Sequence, residues 1–285
     1  MEILFTLCNI IVFVIAAGPK VDYCFVQCTN SYANVHLVCQ RLHSCPKPKQ
    51  CVEYQAKKSW RQHMLNLLND VRNAAANGSA KLGFENTGAK NMNALSYDME
   101  LEYIVTCYIN QCNVAFMLGC LDSVRFPAYD IFAGSRGLEF DNNLWNSLIW
   151  NSETTKYSFR QSHGAVVYEI RNNVWNTLYF WEVQYVGCAA AKKNGITWIQ
   201  CLFGPMHYKV GGEVYKVAKH PGEIASQCED GRNKRYPALC GKIDDVPSGE
   251  MWTHLKITPS SSNNICKINM ILVIYSVLST KYANK

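Results

Sequence analysis

Val186-Gly187-Cys188-Ala189-Ala190, with Ile199-Gln200-Cys201 just downstream, is the stretch on which the reading of the fold turns. Two apolar runs flank a polar tip, Lys192-Lys193-Asn194-Gly195. The pattern predicts strands over Gln184–Ala191 and Thr197–Phe203 joined as a hairpin, because a tight reversal between strands needs residues that tolerate positive φ. Each strand carries one cysteine at a similar distance from the tip, so a bridge across the hairpin is expected. The remaining chain then has to supply helices that cover this sheet and cysteines that tie its ends down.

The chain has 285 residues, enough for one large domain or two small ones. Its hydrophobic content of 48% is ample for a core. The net charge of +6 is modest, and no dense Lys/Arg run is interleaved with aromatics. That excludes a nucleic-acid groove and leaves a solvated basic surface. Ile3–Ala17 is apolar apart from Thr6 and Asn9, the length of a signal-peptide core and short for a bilayer span. Small residues at Ala16-Ala17-Gly18 suit cleavage, so residues 1–18 read as a signal peptide and the product as secreted. The n-region is atypical, with Glu2 and no Lys or Arg, and the alternative is an N-terminal anchor. Of 14 cysteines, Cys8 would leave with the signal. The rest read as a disulfide framework in an oxidising compartment; no paired C-x-x-C motifs favour zinc. An odd count leaves one thiol free or available to a second chain, so a monomer is expected, or a dimer through that thiol.

Residues 19–58 form a cysteine-rich N-terminal extension with Cys24, Cys28, Cys39, Cys45 and Cys51, broken by Pro46 and Pro48. Val52–Ala76 reads as a helix. Trp60, Met64, Leu67, Leu68, Val71 and Ala75 form one stripe, and Asn77-Gly78 closes it. Asn77-Gly78-Ser79 is also an N-glycosylation sequon in a loop position. A second helix starts at Ser96 or Asp98, with Cys112 on its apolar stripe and Cys107 off it, which makes Cys107 a candidate for the odd thiol. Leu144, Trp145, Leu148 and Ile149 suggest a third helix running to about Glu153. A short fourth is expected around Arg171–Phe180, and Glu213–Val217 as a third strand. Helices followed by clustered strands argue an α+β fold. Residues 241–285 read as a C-terminal extension, flexible or packed at an edge. Its apolar segment 268–278 is about half a bilayer span, so no membrane span is expected in the mature chain.

Together these pieces resemble the CAP superfamily of cysteine-rich secretory, antigen-five and pathogenesis-related proteins, and most of all its insect antigen-five-like branch. The resemblance is carried by Asp22-Tyr23-Cys24 and Ser44-Cys45-Pro46. It continues through Leu67-Leu68-Asn69-Asp70-Val71-Arg72-Asn73, Leu95-Ser96-Tyr97-Asp98-Met99-Glu100-Leu101 and Val186-Gly187-Cys188-Ala189. The Cys228–Cys240 loop, with Gly-Arg-Asn-Lys-Arg-Tyr-Pro, is its most specific part. It implies a CAP (SCP) domain over 59–240, a disulfide-stapled three-layer α-β-α sandwich. By family analogy the bridges are Cys24–Cys39, Cys28–Cys120, Cys45–Cys112, Cys188–Cys201 and Cys228–Cys240, with Cys51, Cys107 and Cys266 left over.

The resemblance also marks a departure. The family's cleft usually holds two histidines and two acidic residues able to bind a divalent metal. The first histidine position is Leu68 here and the second maps to Val174, with Phe180 at the following aromatic. Glu153, three residues after Trp150, keeps one acid, while Gly134-Ser135-Arg136 stands near the other. Leucine and valine have no lone pairs, so three or four ligands cannot converge on an ion, and no metal or other cofactor is expected. His63 lies about 140° around the helix from Leu68, and His163 falls in a loop, so neither substitutes. Ser162-His163 adjacency is not a catalytic triad. The function expected is a non-catalytic extracellular binding protein of saliva, venom or reproductive secretion, with an unknown protein partner or a lipid or sterol ligand. The alternative is a hydrolase or protease using the same cleft. A channel-modulating toxin is disfavoured, because only Cys266 follows Cys240.

Overall fold

The computed structural model describes residues 22–29, 35–40, 45, 48–80, 86–112, 119–147, 159–168, 174–207 and 211–249. Residues 1–21, which include the expected signal peptide and Cys8, the C-terminal residues from 250 onward with Cys266, and Glu153 lie outside these. All described residues belong to one unit, Val21–Lys256.

The hairpin is where the pattern put it and slightly longer, β6 over Tyr185–Lys193 and β7 over Ile196–Gly204. Lys193 pairs with Ile196 across a two-residue tip, Asn194-Gly195, whose φ values of 51° and 74° are both left-handed. That is the turn whose twist matches the strands it joins. Cys188 and Cys201 face each other in register and are bridged.

The main sheet runs β1-β6-β7-β3, with β1 at Val52–Glu53 and β3 at Tyr129–Arg136; β2, Ser96–Tyr97, lies parallel to the start of β6. A second sheet of β4 (Phe159–Ser162), β5 (Ala165–Tyr168) and β8 (Glu213–Lys216) is separate. The strand expected near Glu213 therefore exists but does not extend the hairpin's sheet. Val52–Glu53 corrects the expected helix: it pairs with Lys192 and Ala191, and the helix begins only at Lys58. An edge of β6 needing hydrogen bonds outbid a weakly periodic helical start.

The α-helices α1 (Leu37–Gln40), α2 (Lys58–Ala76) and α3 (Met99–Ile109) follow in chain order. The third expected helix is helical over its described residues 142–147, and the fourth is a 3-10 turn, Val174–Tyr179. Asp98 caps α3 by accepting from the Glu100 and Leu101 amides. Every α3 residue except Tyr108 is buried. Its inner side meets the sheet at Gly187, and its outer side is covered by the N-terminal knot through α1. On the other side of the sandwich α2 packs on β2, β6 and the 3-10 turn, while the 3-10 turn packs on β3. The result is a disulfide-stapled α+β sandwich.

The bridges Cys24–Cys39, Cys28–Cys120, Cys188–Cys201 and Cys228–Cys240 join the expected partners. Cys45–Cys112 is corrected: Cys45 pairs with Cys107 and Cys51 with Cys112. Two facts explain this. The helix ends at Ile109, so Cys112 sits beyond it at φ 57°, not on a helical stripe. Pairing of β1 with the hairpin tip carries Cys51 to that end, and Cys45 reaches back about one turn further. Cys107, expected to be free, is wholly buried and bridged; a helix enclosed on all sides has no off-stripe face to leave a thiol on. Non-reducing peptide mapping with trypsin, which cuts after Lys49, and chymotrypsin, which cuts after Tyr108, is expected to give a Cys45–Cys107 linked peptide and a Cys51–Cys112 linked peptide; a Cys45–Cys112 crosslink would refute this arrangement.

The knot contains a buried histidine. His36 stacks on Tyr23 at 4.7 Å between ring centroids and is 1% exposed. Its Nε2 lies 2.8 Å from the Asp122 carbonyl, and its Nδ1 accepts from the Val38 amide at 3.1 Å. A proton on Nδ1 would face that N–H, and burial pushes the imidazole down to about 4, against the pull of Asp122. The unfolded chain binds this proton near pH 6.5 and the folded chain only near 4. Stability is therefore full above pH 6.5 and falls as pH drops towards 4, by about 3 kcal/mol. Denaturant titrations at pH 7 and pH 4 are expected to show that excess loss in the parent relative to His36→Gln; equal losses would contradict it.

Candidate functional site

The positions that the resemblance maps to the family's metal cleft start on α2. Trp60, Met64, Leu68 and Arg72 are four apart and lie along one buried face. Leu68 is wholly buried. One turn further on, Arg72 spends all its N–H groups on backbone carbonyls: Asn93 twice (2.9 and 2.6 Å), Leu178 (2.6 Å), Phe180 (3.1 Å) and Val183 (3.3 Å). Leu178 and Phe180 lie at the end of the 3-10 turn that opens at Val174. The elements carrying Leu68 and Val174 are thus neighbours. Glu153 and the side chain of Val174 are not among the described residues.

Towards the other end of this face Trp60 joins Trp145 (5.4 Å), Tyr54 (5.2 Å) and, through Tyr54, Phe140 (5.3 Å). Trp60 and Trp145 are buried, and Tyr54 and Phe140 are half-exposed. Met64 and Leu68 therefore lie on α2 between this aromatic cluster and the buried Arg72 guanidinium. Gly134-Ser135-Arg136 forms the exposed end of β3, in register with Trp198, Thr197 and Ile196.

A metal ion does not fit the groups placed here. Among the described residues no three His, Cys, Asp or Glu side chains converge, and Leu68 offers no donor. The described histidines are dispersed. His63 is exposed on α2, and His163 sits at the β4–β5 tip with φ 51°. His207 pairs with Glu182, His220 with Glu223, and His36 is enclosed in the knot. The Ser162 Oγ and His163 Nδ1 are 2.9 Å apart on that exposed tip, and no carboxylate orients the ring among the described contacts.

Beside the apolar face lies a buried polar network that sequence reasoning missed. Arg61 makes a two-pronged pair with Glu102, 2.7 Å on each arm. Tyr97 donates to Glu102 at 2.6 Å and accepts from the Cys188 amide at 3.2 Å. Burial pushes the Glu102 carboxyl up; the Arg61 fork and the Tyr97 hydroxyl oppose that. Arg61 also holds the Pro247 and Gly249 carbonyls at 3.2 and 2.9 Å. The network therefore locks α2, α3, β2, β6 and the tail residues 241–249 together. Asn69 likewise reads both backbone groups of Leu95, at 3.0 and 2.8 Å. The signal was present in the sequence, as polar residues interrupting an apolar stripe, but it names no partners.

A cavity of about 350 Å³ opens between the β2–β6 junction and the last disulfide loop, lined by Ser96, Gln184, Tyr185, Asp230, Lys242 and Asp244. Its charges are mixed, and the Ser96 hydroxyl already accepts from the Asp244 amide at 2.9 Å. It pairs no nucleophile with a base.

No family model matches the chain. Among proteins it is 27% identical to venom allergen 5 of Vespula pensylvanica over 215 residues, 69% of this chain and 99% of that one. It is 25% identical to a cysteine-rich venom protein of Tityus serrulatus over 260 residues, 85% of this chain and 60% of that one. Among solved structures it overlays NaASP2 with Zn2+ at a TM-score of 0.52 and 18% identity, covering 70% of this chain and 100% of that one. Na-ASP-1 overlays at 0.51 and 20% identity, covering 79% and 52%. Hairpin, enclosed helix, knot and bridges, together with these likenesses, support a CAP-superfamily protein. Within that class the chain is antigen-five-like, as the venom allergen 5 relatives indicate.

Proposed function

We propose that this chain is a secreted, non-catalytic CAP-domain binding protein that works in an extracellular fluid without a metal. The observation that supports the reading is that Leu68, which the resemblance maps to a family imidazole, is wholly buried. NaASP2 has been solved with Zn2+; the buried face of α2 in this chain carries Trp60, Met64 and Leu68, side chains that are not zinc ligands. Six described bridges suit an oxidising compartment. Asn77 is exposed just past the end of α2, and its Oδ1 accepts from the Ser79 amide at 2.9 Å, which leaves the amide nitrogen outward for a glycan. The half-exposed rings of Tyr54 and Phe140, beside buried Trp60 and Trp145, make a lipid or sterol the ligand class to test.

Calorimetric titration of purified secreted protein with zinc is expected to give no 1:1 site of micromolar affinity, and such a site would defeat the metal-free reading. Mass spectrometry of an organic extract tests the ligand: a stoichiometric lipid is expected, and an extract no richer than that of a mock purification would remove the lipid component of the proposal.

A further inference from the structure

The loop between Cys228 and Cys240 is braced from inside. Asn233 is buried, its Oδ1 accepts from the Arg235 and Tyr236 amides at 2.9 Å, and its Nδ2 donates to the Gly241 carbonyl at 2.9 Å. Its amide donates to the Leu239 carbonyl at 2.8 Å, and the Cys228–Cys240 bridge closes the base. Tyr236, Ala238 and Leu239 turn inward and are buried. The same geometry turns Arg232, Lys234 and Arg235 outward, all exposed, and Lys242 follows just past the bridge. None of these four forms an ion pair among the described residues; the Arg235 guanidinium rests 5.3 Å from the Tyr236 ring centroid. The loop's acids, Glu229 and Asp230, lie together before Gly231, where φ is 75°. Asp70 faces the Tyr236 hydroxyl at the loop's base.

We propose that this loop is a docking surface for a linear sulfated polysaccharide. Three cations within four residues sit on a crosslinked backbone that needs little ordering on binding, and they give up no ion pair among the described residues. Two of them are arginines, whose planar forks match sulfate oxygens with two hydrogen bonds. A short basic run of this kind is a recognised polyanion footprint. Anionic membrane is the less suitable partner, because surface attachment needs apolar side chains to insert, and the apolar residue this loop exposes is Pro237. The proposal is independent of the Leu68 cleft.

The test uses the full secreted chain on immobilised heparin. At about 0.15 M salt the parent is expected to be retained, and Arg232→Gln/Lys234→Gln/Arg235→Gln to bind about tenfold more weakly with a shallower salt dependence. Lys57→Gln/Lys58→Gln/Lys219→Gln removes the same charge from exposed sites elsewhere and is expected to bind like the parent. Equal loss in both triple variants, loss in neither, or no retention of the parent would overturn the proposal. So would binding to phosphatidylserine vesicles without binding to heparin.

Discussion

Replacing Arg72 by methionine is expected to cost at least about 4 kcal/mol, a large part of the 5–15 kcal/mol that holds a domain folded. The methionine fills much of the same volume, so the loss is not a cavity effect. It comes mainly from the buried carbonyls of Leu178 and Val183, left without the donor that Arg72 supplied at about 1–3 kcal/mol apiece, and to a smaller extent from the half-buried Asn93 carbonyl, which loses two donors. Phe180 still receives the Val183 amide. One opposing effect exists: burial pushes the guanidinium down to about 9, so removing it returns some desolvation cost. The orphaned carbonyls outnumber that gain. Arg72→Lys, which keeps a charge but not the fork, should fall between parent and methionine. Equilibrium urea unfolding measures all three; a methionine variant within about 1 kcal/mol of the parent would show that these carbonyls find other partners.

Gly187→Ala should cost about 3 kcal/mol or more, the upper end of what overpacking does. A β-carbon at 187 would sit 2.6 Å from the Leu101 carbonyl carbon and 2.7 Å from the Asp98 oxygen, and closer still to the Glu102 amide. These are backbone atoms of the α3 cap and first turn, so no rotamer change relieves the clash. The helix has to lift from the sheet, and the Tyr97–Glu102–Arg61 network moves with it. Gly137→Ala is the comparison, with φ 76° but nothing within 4 Å of the new carbon; its cost is conformational alone, about 1–2 kcal/mol. If both variants unfold at the same urea concentration, direct contact of helix on strand is not what the glycine provides.

Those two residues mark where reading a sequence succeeds and where it stops. Gly187 was legible as part of a strand, and Val-Gly-Cys-Ala as a family signature, but its reason is a helix that arrives from 86 residues earlier. Arg72 was legible only as a motif letter. Nothing in the α2 periodicity says that Arg61, Asn69 and Arg72 are buried, because an amphipathic stripe counts apolar positions and treats polar ones as outward. Residues Leu67 and Val71, assigned to that stripe, are only half-buried, since the buried face is rotated towards the polar side chains that clamp Leu95 and the 3-10 turn.

By itself the sequence determined the hairpin and the place of its turn, the Asn77 end of the first long helix, a start for the second at Ser96 or Asp98, and four of the bridges by family analogy. These are local or motif-borne, set by backbone preferences and by residue chemistry that no packing alters. Tertiary structure alone decided that Val52–Glu53 is a strand, that Cys45 takes Cys107 and Cys51 takes Cys112, and that α3 is enclosed on every side. Those outcomes depend on which distant segment reaches an unpaired sheet edge or a helix end, a competition among contacts far apart in the chain.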